Sequence, residues 1–298
     1  MNNFKMAYVI ICHKNSKQVN LLIEMLNDEC VDFFVHVDKK SSIQSDIVKL
    51  DNVNFIKNPI KVTWGHYSQI ECILGCFSSI KAHGYYNYVN IISGQDIPLV
   101  SNNTIINFFE ESKDKEFVGY INMTNKKENK GLYARLCIYY PDFMMSNKRY
   151  LSFITRMYGK FIMLIPFLQR SLKVLPNKLY KGSNWLSITG NCMQYILDYT
   201  ENTPQYVDFF KHTFCADEIF FQTIILNSKF RENVINDNKR YIDWKTGPGY
   251  PRTLTIKDFD RIHKKKEEQL WGRKFDLYVD NEIIKVIIRE IDSVTKGV

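Results

Sequence analysis

The sequence lacks the glycine-rich loops that mark many nucleotide-binding enzymes. It contains no Gly-x-Gly-x-x-Gly segment and no Gly-x-x-x-x-Gly-Lys segment, which are the patterns that cradle the phosphates of dinucleotides and of nucleoside triphosphates. Their absence disfavours a dinucleotide-dependent enzyme and a kinase of known signature. No run of 18 or more apolar residues occurs either, so no transmembrane helix is predicted.

Paired cysteines and a secretion signal are also missing. The seven cysteines are scattered and include no Cys-x-x-Cys pair, which argues against a disulfide scaffold and against a zinc site. The first residues run directly into an apolar strand pattern, without the apolar region and cleavage site of a signal peptide. We therefore expect reduced thiols and a cytoplasmic location.

The sequence has no convincing metal site. Its literal Asp-x-Asp match, Asp258-Phe259-Asp260, lies in the pattern of an exposed amphipathic helix over 255–266, and residues i and i+2 of a helix do not face each other. His36 and Asp38 would share one face of a strand, but no third ligand is evident. We therefore expect no metal and no other cofactor.

Acidic residues are absent from one long basic stretch, residues 148–181. The net charge of the whole chain is +8. The stretch contains eight cations: Lys148, Arg149, Arg156, Lys160, Arg170, Lys173, Lys178 and Lys181. They surround an apolar run at 161–168, a combination that suits an anionic membrane surface. A buried helix with a solvated basic flank is the open alternative. Nucleic acid is not an expected partner, because no recognition motif accompanies the charge.

What the sequence does contain is an alternation of strand and helix patterns. Predicted strands lie at 8–12, 32–37, 53–56, 88–92 and 117–121. Predicted helices lie at 19–26, 70–80, 104–109, 191–199, 205–211, 217–226, 257–270 and 282–294. This order predicts an α/β fold with a mostly parallel central sheet covered by helices. No linker or repeat interrupts it, so we expect a single domain over 1–298.

Polar residues follow three of the predicted strands. His13, Asp38 and Asp96 each come after a strand, and ligands of open α/β sheets bind outside the carboxyl ends of the strands. Each alone is ordinary loop polarity, but three at one edge, with Trp64-Gly65 entering the next helix, favour a ligand site. A carboxylate such as Asp38 could accept hydrogen bonds from a uracil ring or a ribose.

Two adjacent acids, Asp217 and Glu218, begin a strongly apolar helix pattern. A helix N-terminus favours negative charge, so a charged helix start is the simple interpretation. The sharper hypothesis is a catalytic base. Trp185 and Trp244 could stack on sugar rings, although core packing explains a tryptophan equally well.

Eight short motifs carry a resemblance that runs through nearly the whole chain, and their order and spacing are specific. The motifs are Ala7-Tyr8-Val9-Ile10-Ile11-Cys12-His13, Val35-His36-Val37-Asp38-Lys39-Lys40-Ser41, Val62-Thr63-Trp64-Gly65, Ser93-Gly94-Gln95-Asp96-Ile97-Pro98-Leu99, Gly182-Ser183-Asn184-Trp185, Asp217-Glu218, Tyr241-Ile242-Asp243-Trp244 and Arg273-Lys274-Phe275-Asp276. On these motifs the chain resembles the core-2/I-branching β-1,6-N-acetylglucosaminyltransferase family, which also contains the peptide O-xylosyltransferases.

The resemblance implies a GT-A-type fold, a UDP-sugar donor, inversion at the anomeric carbon and no metal. The sugar would be GlcNAc or xylose, and the acceptor would be a hydroxyl of a glycan. Residues 1–125 would form the nucleotide-binding half and residues 126–298 the acceptor and catalytic half.

The resemblance also implies roles for single residues. It places the general base at Glu218, the diphosphate contacts at Arg252 and Lys274, the uridine contacts at His13 and Asp38, and Trp244 in the acceptor-side loop. From the residues themselves we expect Trp64, Gly65 and Asp96 also to bind the donor, with Arg273 as a further candidate cation. Trp185 and Asp217 are the further expected acceptor-binding residues.

The chain departs from the animal members, which have a transmembrane anchor and several disulfides. It resembles a bacterial, cytoplasmic relative that acts in surface polysaccharide synthesis, with an acceptor glycan on a lipid carrier and the protein at the inner face of the membrane. Two rivals remain open: a non-catalytic membrane or nucleic-acid binding protein that uses 148–181, and a metal-dependent transferase or hydrolase.

Overall fold

The computed structural model describes residues 4–145, 149–247, 251–266 and 268–295. The strands are β1 Met6–Cys12, β2 Val31–Val37, β3 Val53–Phe55, β4 Tyr88–Ser93, β5 Asp96–Pro98, β6 Glu116–Phe117, β7 Tyr120–Asn122, β8 Tyr180–Gly182, β9 Ser187–Thr189, β10 Val234–Ile235, β11 Arg240–Ile242 and β12 Trp271–Arg273. The α-helices are α1 Ser16–Leu26, α2 Ser68–His83, α3 Asn102–Ser112, α4 Lys130–Cys137, α5 Arg149–Leu164, α6 Gly190–Asn202, α7 Pro204–Lys211, α8 Asp217–Leu226, α9 Phe259–His263 and α10 Glu282–Thr295.

A seven-stranded sheet in the order β10-β6-β9-β4-β1-β2-β3 forms the centre of the molecule. All of its pairings are parallel except those of β9, which runs antiparallel to β4 and to β6. The predicted α/β fold with a mostly parallel sheet is therefore confirmed. Because β9 and β10 come from the second half of the chain, both halves contribute to this one sheet.

Both faces of the central sheet are buried. In β1, Ala7 and Val9 point to a core that includes side chains of α2, α6 and α8. Tyr8 and Ile10 point to the other side, where α1 and α3 supply apolar side chains. Strands buried on both faces read as near-continuous apolar runs and do not alternate. This is why β1, β2 and β4, which are mostly apolar, are evident in the sequence.

A smaller sheet has the order β11-β12-β5, and two residues separate its strand β5 from the end of β4. Its strand β12 is antiparallel to β5, and the register places Arg273 opposite Asp96. The predicted polar turn at 93–98 therefore ends in a strand. The predicted strand at 117–121 is likewise two short strands, β6 and β7, which belong to different sheets.

The helix predicted over 255–266, or over 257–270 in its longer form, is shorter than predicted and is not exposed throughout. A 3-10 helix, Ile256–Asp258, is followed by the short helix α9. Asp258 is only 1% exposed, because its carboxylate closes a capping box with Thr255 and receives hydrogen bonds from Arg252. Asp258 of the literal Asp-x-Asp match is thus engaged in hydrogen bonds within its own segment.

Helix α5 covers much of the basic stretch, although Lys148 and the side chains of residues 149–152 lie outside what is described. The apolar run at 161–168 straddles the end of α5, at Leu164, and the 3-10 helix Pro166–Leu168. In the described segments no helix is long and apolar enough to cross a membrane.

Candidate active site

The start of α8 is tied to the turn that precedes α2. Cys215 has a positive φ of 51°, and its N–H donates to the Gly65 carbonyl at 2.8 Å. Gly65 has a φ of 73°, and a Cβ atom there would lie 2.7 Å from the ring of Phe214. Only glycine fits this position without strain. Gly65 therefore acts through its backbone, and its neighbour Trp64 presents the side chain.

Glu218 lies in the first turn of α8 and contacts two cations. Arg135 of α4 donates from Nη1 to Glu218 Oε2 at 2.8 Å, and Lys181 Nζ of β8 lies 3.5 Å from the same oxygen. The Glu218 side chain is 34% exposed, so it is accessible from solvent. Two charge-assisted contacts fix the direction of this carboxylate.

Asp217 is the buried member of the acid pair. Its Oδ2 accepts a hydrogen bond from Gln69 Nε2 at 2.9 Å. Burial, reinforced by the negative charge of Glu218, raises the pKa of Asp217 to about 7. The two adjacent acids therefore have different environments, and the more exposed one, Glu218, is better placed to meet a substrate.

A cavity of about 620 Å³ lies over these acids. It brings together six of the predicted site residues: Trp64, Trp185, Asp217, Glu218, Trp244 and Lys274. Trp64 and Trp244 are 65% and 54% exposed, which leaves their rings free to stack on a ligand. We refer to this space as the acid cavity.

A second cavity of about 530 Å³, here the strand-end cavity, lies beside the carboxyl ends of β1 and β2 and includes His13 and Asp38. Asp38 accepts backbone N–H groups from Lys40 at 2.8 Å and from Val62 at 3.0 Å. Trp64 and Gln69 line both cavities. The two spaces therefore adjoin each other, and an extended ligand could occupy both.

Asp96 does not reach either cavity, in contrast to its predicted contact with the donor. It is fully buried, and it accepts a hydrogen bond from Arg273 Nη1 at 2.8 Å. The Arg273 guanidinium in turn lies 3.6 Å from the centre of the Trp185 ring. Asp96 thus holds Arg273 in place, and Arg273 lines the acid cavity.

Lys274 brings a second cation to the acid cavity. Desolvation, followed by repulsion from Arg273 and Lys14, lowers its pKa, and Asp276 opposes this. Asp276 is itself paired with Lys14 at 2.5 Å. An anion bound beside Lys274 would relieve this repulsion.

Arg252 is not brought to the acid cavity. Its guanidinium donates to the carboxylates of Asp243 and Asp258, to Thr246 and to the Thr253 carbonyl. These contacts engage all three of its nitrogens. Arg252 therefore joins the segment after β11 to the start of the 3-10 helix, and its predicted contact with a diphosphate would require it to leave these partners.

Three residues of the site had not been singled out from the sequence. Arg135 and Gln69 carry no motif signal, because the fold alone brings them to Glu218 and Asp217. In the sequence Lys181 is the last cation of the basic stretch 148–181, and it directly precedes Gly182-Ser183-Asn184-Trp185. That adjacency could have indicated a role in the site.

The described residues contain no group of three or more His, Cys, Asp or Glu side chains that could hold a metal ion. His36, considered as a ligand together with Asp38, accepts the Ile60 N–H at 3.0 Å through Nε2. That nitrogen is therefore occupied within the protein.

Known proteins are similar in sequence to this chain over most of its length. Xylosyltransferase 2 of Rattus norvegicus is 22% identical over 309 residues, covering 95% of this chain and 33% of the relative. Beta-glucuronosyltransferase GlcAT14B of Arabidopsis thaliana is 23% identical over 247 residues, covering 77% of this chain and 54% of the relative. The chain thus spans about a third of the length of the xylosyltransferases that it matches.

The sequence profile of the Core-2/I-Branching enzyme family matches residues 6–266, a range that includes β1, the strand-end cavity and both acids at the start of α8. The resemblance carried by the eight motifs is therefore confirmed, and with it the GT-A-like character of the α/β fold. This chain belongs to the Core-2/I-Branching enzyme family.

Proposed function

We propose that the protein is an inverting glycosyltransferase that moves a sugar from a UDP-sugar to a hydroxyl of a glycan acceptor without a metal ion. The observation that carries this proposal is the acid cavity, where Glu218 shares one space with the cations Arg273 and Lys274. Transfer of a sugar with a nucleotide leaving group needs both a base and positive charge.

The donor would lie across the two cavities. The nucleoside would occupy the strand-end cavity, where Asp38 is already oriented by two backbone N–H groups and keeps acceptor capacity for a uracil or ribose group. The diphosphate would extend past Trp64 to Lys274. This path places the anomeric carbon in the acid cavity, beside Glu218.

The proposed reaction is a single displacement. The acceptor hydroxyl transfers its proton to the Glu218 carboxylate while its oxygen forms a bond to the anomeric carbon. The bond from that carbon to the diphosphate oxygen breaks on the opposite face, and UDP leaves with the electron pair. A positioned base contributes roughly 10²–10⁴-fold to such a step.

Cationic side chains would stabilise the departing UDP in place of a metal. Lys274 is the strongest candidate, because desolvation, followed by repulsion from Arg273 and Lys14, lowers its pKa and a bound anion would offset both effects. Arg273 is the second, because Asp96 and Trp185 hold its guanidinium at the cavity wall. Such preorganised charge acts strongly in a water-poor site.

GlcNAc and xylose are the donor sugars that we propose first. Xylose is supported by the names of the xylosyltransferase relatives, and the Arabidopsis relative makes glucuronic acid a necessary third test. The acceptor that we propose is a glycan on a lipid carrier, in surface polysaccharide synthesis.

Hydrolysis and transfer assays with a panel of UDP-sugars, run with and without EDTA, test this function. We expect one UDP-sugar to be consumed at the same rate in both conditions. Activity that disappears in EDTA and returns with Mn²⁺ would show that a metal carries the charge. Absence of UDP binding by the purified protein would overturn the proposal as a whole.

A further inference from the structure

Helix α5 and the turn after it present large apolar side chains to solvent. Leu164 is 80% exposed and Phe167 is 85% exposed. The exposed apolar residues, which we call the α5 patch, are Phe153, Ile154, Met157, Phe161, Met163, Leu164, Phe167 and Leu168. Contiguous apolar surface of this kind marks an interaction site.

Within α5 the patch centres on one face of the helix, because positions 153, 157, 161 and 164 follow helical spacing. The opposite face is anchored. Ile162 is only 6% exposed and belongs to a cluster with Ile138, Tyr140 and Met145. A Cβ atom at Gly159 would lie 3.3 Å from Ile138. The helix is thus fixed to the protein by one side while the other faces outward.

The charge around the patch has one sign. No Asp or Glu occurs between Asp142 and Asp198. Arg156 and Lys160 are exposed on α5 and, being four residues apart, are neighbours along the edge of the apolar stripe. Lys173 and Lys178 add exposed charge in the segment that follows.

The positive charge around the patch indicates which kind of partner could bind there. A second copy of the chain would bring the same cations face to face, and like charges across an interface are unfavourable. An anionic lipid surface accepts both parts of the patch, since apolar side chains enter the boundary between headgroups and acyl chains while cations meet the phosphates.

The anchored face of α5 is connected to the walls of the acid cavity. Phe214 packs against the cluster beneath α5, and its ring centre is 5.6 Å from that of Trp64, which lines both cavities. Helix α4, which packs on α5, supplies the Arg135 that binds Glu218. The helix that carries the patch is therefore joined to the walls of the acid cavity through its anchored face.

We propose that the α5 patch docks the protein on an anionic membrane surface and holds the acid cavity beside acceptors carried on lipid. The docking itself follows from the patch, and the statement about the acceptor rests on the proposed function.

Co-sedimentation with vesicles tests the docking. The full chain should bind vesicles that contain phosphatidylglycerol at low salt, bind phosphatidylcholine vesicles weakly, and be released from the anionic vesicles at high salt. The double variant Arg156→Glu/Lys160→Glu should lose at least about twentyfold in partition, from about fivefold for each cation. Its matched control, Lys49→Glu/Lys57→Glu, carries the same change in net charge at exposed positions elsewhere and should stay within about threefold of wild type.

The apolar half of the patch has its own variant. Leu164→Ser/Phe167→Ser should reduce partition by about tenfold or more, whereas Tyr85→Ser, at a residue that is 64% exposed outside the patch, should not. All of these side chains are exposed, so circular dichroism should show unchanged folding.

The docking would be overturned by absence of binding at low salt, by equal partition onto neutral and anionic vesicles, or by equal losses in the control variants. Concentration-dependent dimerisation that the patch variants abolish, without vesicle binding, would assign the face to a second copy.

Hydrolysis of a UDP-sugar by the same samples without vesicles separates this proposal from the proposed function. The patch variants should hydrolyse the UDP-sugar at the wild-type rate. Vesicle binding without any UDP binding would contradict only the proposed function.

Discussion

Arg135 Nη1 lies 2.8 Å from Glu218 Oε2, and Lys181 Nζ approaches the same oxygen at 3.5 Å. Both contacts end on one of the two carboxylate oxygens. The other oxygen, Oε1, is therefore the atom that we expect to receive the acceptor proton. In the proposed mechanism Arg135 would therefore orient the base and would not itself contact the reacting atoms.

Arg135→Ala should lower kcat about tenfold or more while the Kd for UDP stays close to that of wild type, because misorientation of a base affects the chemical step and not donor binding. Arg135→Lys should restore part of the rate, since it returns a cation. Steady-state kinetics and calorimetric titration with UDP measure the two quantities. Equal losses in kcat and in UDP affinity would assign Arg135 to the donor site instead.

Lys274 and Arg252 should behave differently, although both had been predicted to contact the donor. Lys274→Ala should weaken UDP binding by about ten- to a hundredfold, as expected for the loss of a charge-assisted contact. Lys257→Ala, at an exposed position, serves as the control. Unchanged UDP affinity in Lys274→Ala would remove this residue from the donor site.

Arg252→Ala should chiefly destabilise the fold, by about 2–3 kcal/mol, because it leaves the buried carboxylates of Asp243 and Asp258 without their shared partner. Burial alone would raise the pKa of Asp258, but the hydrogen bonds from Arg252 and its neighbours lower this pKa. Chemical denaturation measures the loss. A stable Arg252→Ala protein with weak UDP binding would show that Arg252 leaves these carboxylates to bind the donor.

The burial of Asp217 predicts a specific dependence of stability on pH. Its pKa is raised to about 7 in the folded protein, so its contribution is fully present below the pKa of an unfolded aspartate and is lost as the pH rises to about 7. Between those values wild type should lose up to about 1.4 kcal/mol of stability per pH unit relative to Asp217→Asn. Above about 7 the difference should level off.

Denaturant titrations of both proteins across this pH range test the effect, with Asp51→Asn, at an exposed acid, as the control. A difference between wild type and Asp217→Asn that does not change with pH would contradict the assigned burial. Since Glu218 contributes to the shift, the effect should be smaller in a Glu218→Gln background.

Most of the central fold could be predicted because its strands and helices have recognisable local sequence patterns. Strands β1, β2 and β4 are mostly apolar runs, and helices α1 and α2 keep their apolar residues at helical spacing. Helix α8 is apolar on nearly all sides. The short strands β9, β10 and β12 could not be predicted, because each has two or three residues and is defined by its pairing with distant strands. Such pairing leaves no periodicity in the sequence.

Site residues that belong to a short sequence motif could be predicted. Contacts between residues that are distant in the sequence could not be predicted, because only the fold brings them together. Glu218, Lys274 and Trp244 could be named in advance, and the structure places them in one cavity. The contact of Arg135 with Glu218 joins positions 83 residues apart. Asp96 lay at the expected strand end, but its buried pairing with Arg273 depends on the register of β5 and β12, which no local pattern shows.

Glu218→Gln tests the central claim most directly, because it keeps the size of the side chain and removes its basicity. Turnover of the preferred UDP-sugar and affinity for UDP should be measured on the same preparation, with Glu201→Gln, at an exposed acid of α6, as the control. We predict a fall in kcat of roughly 10²–10⁴-fold, with a Kd for UDP within about twofold of wild type. Turnover retained within about threefold of wild type would contradict the assignment of Glu218 as the base.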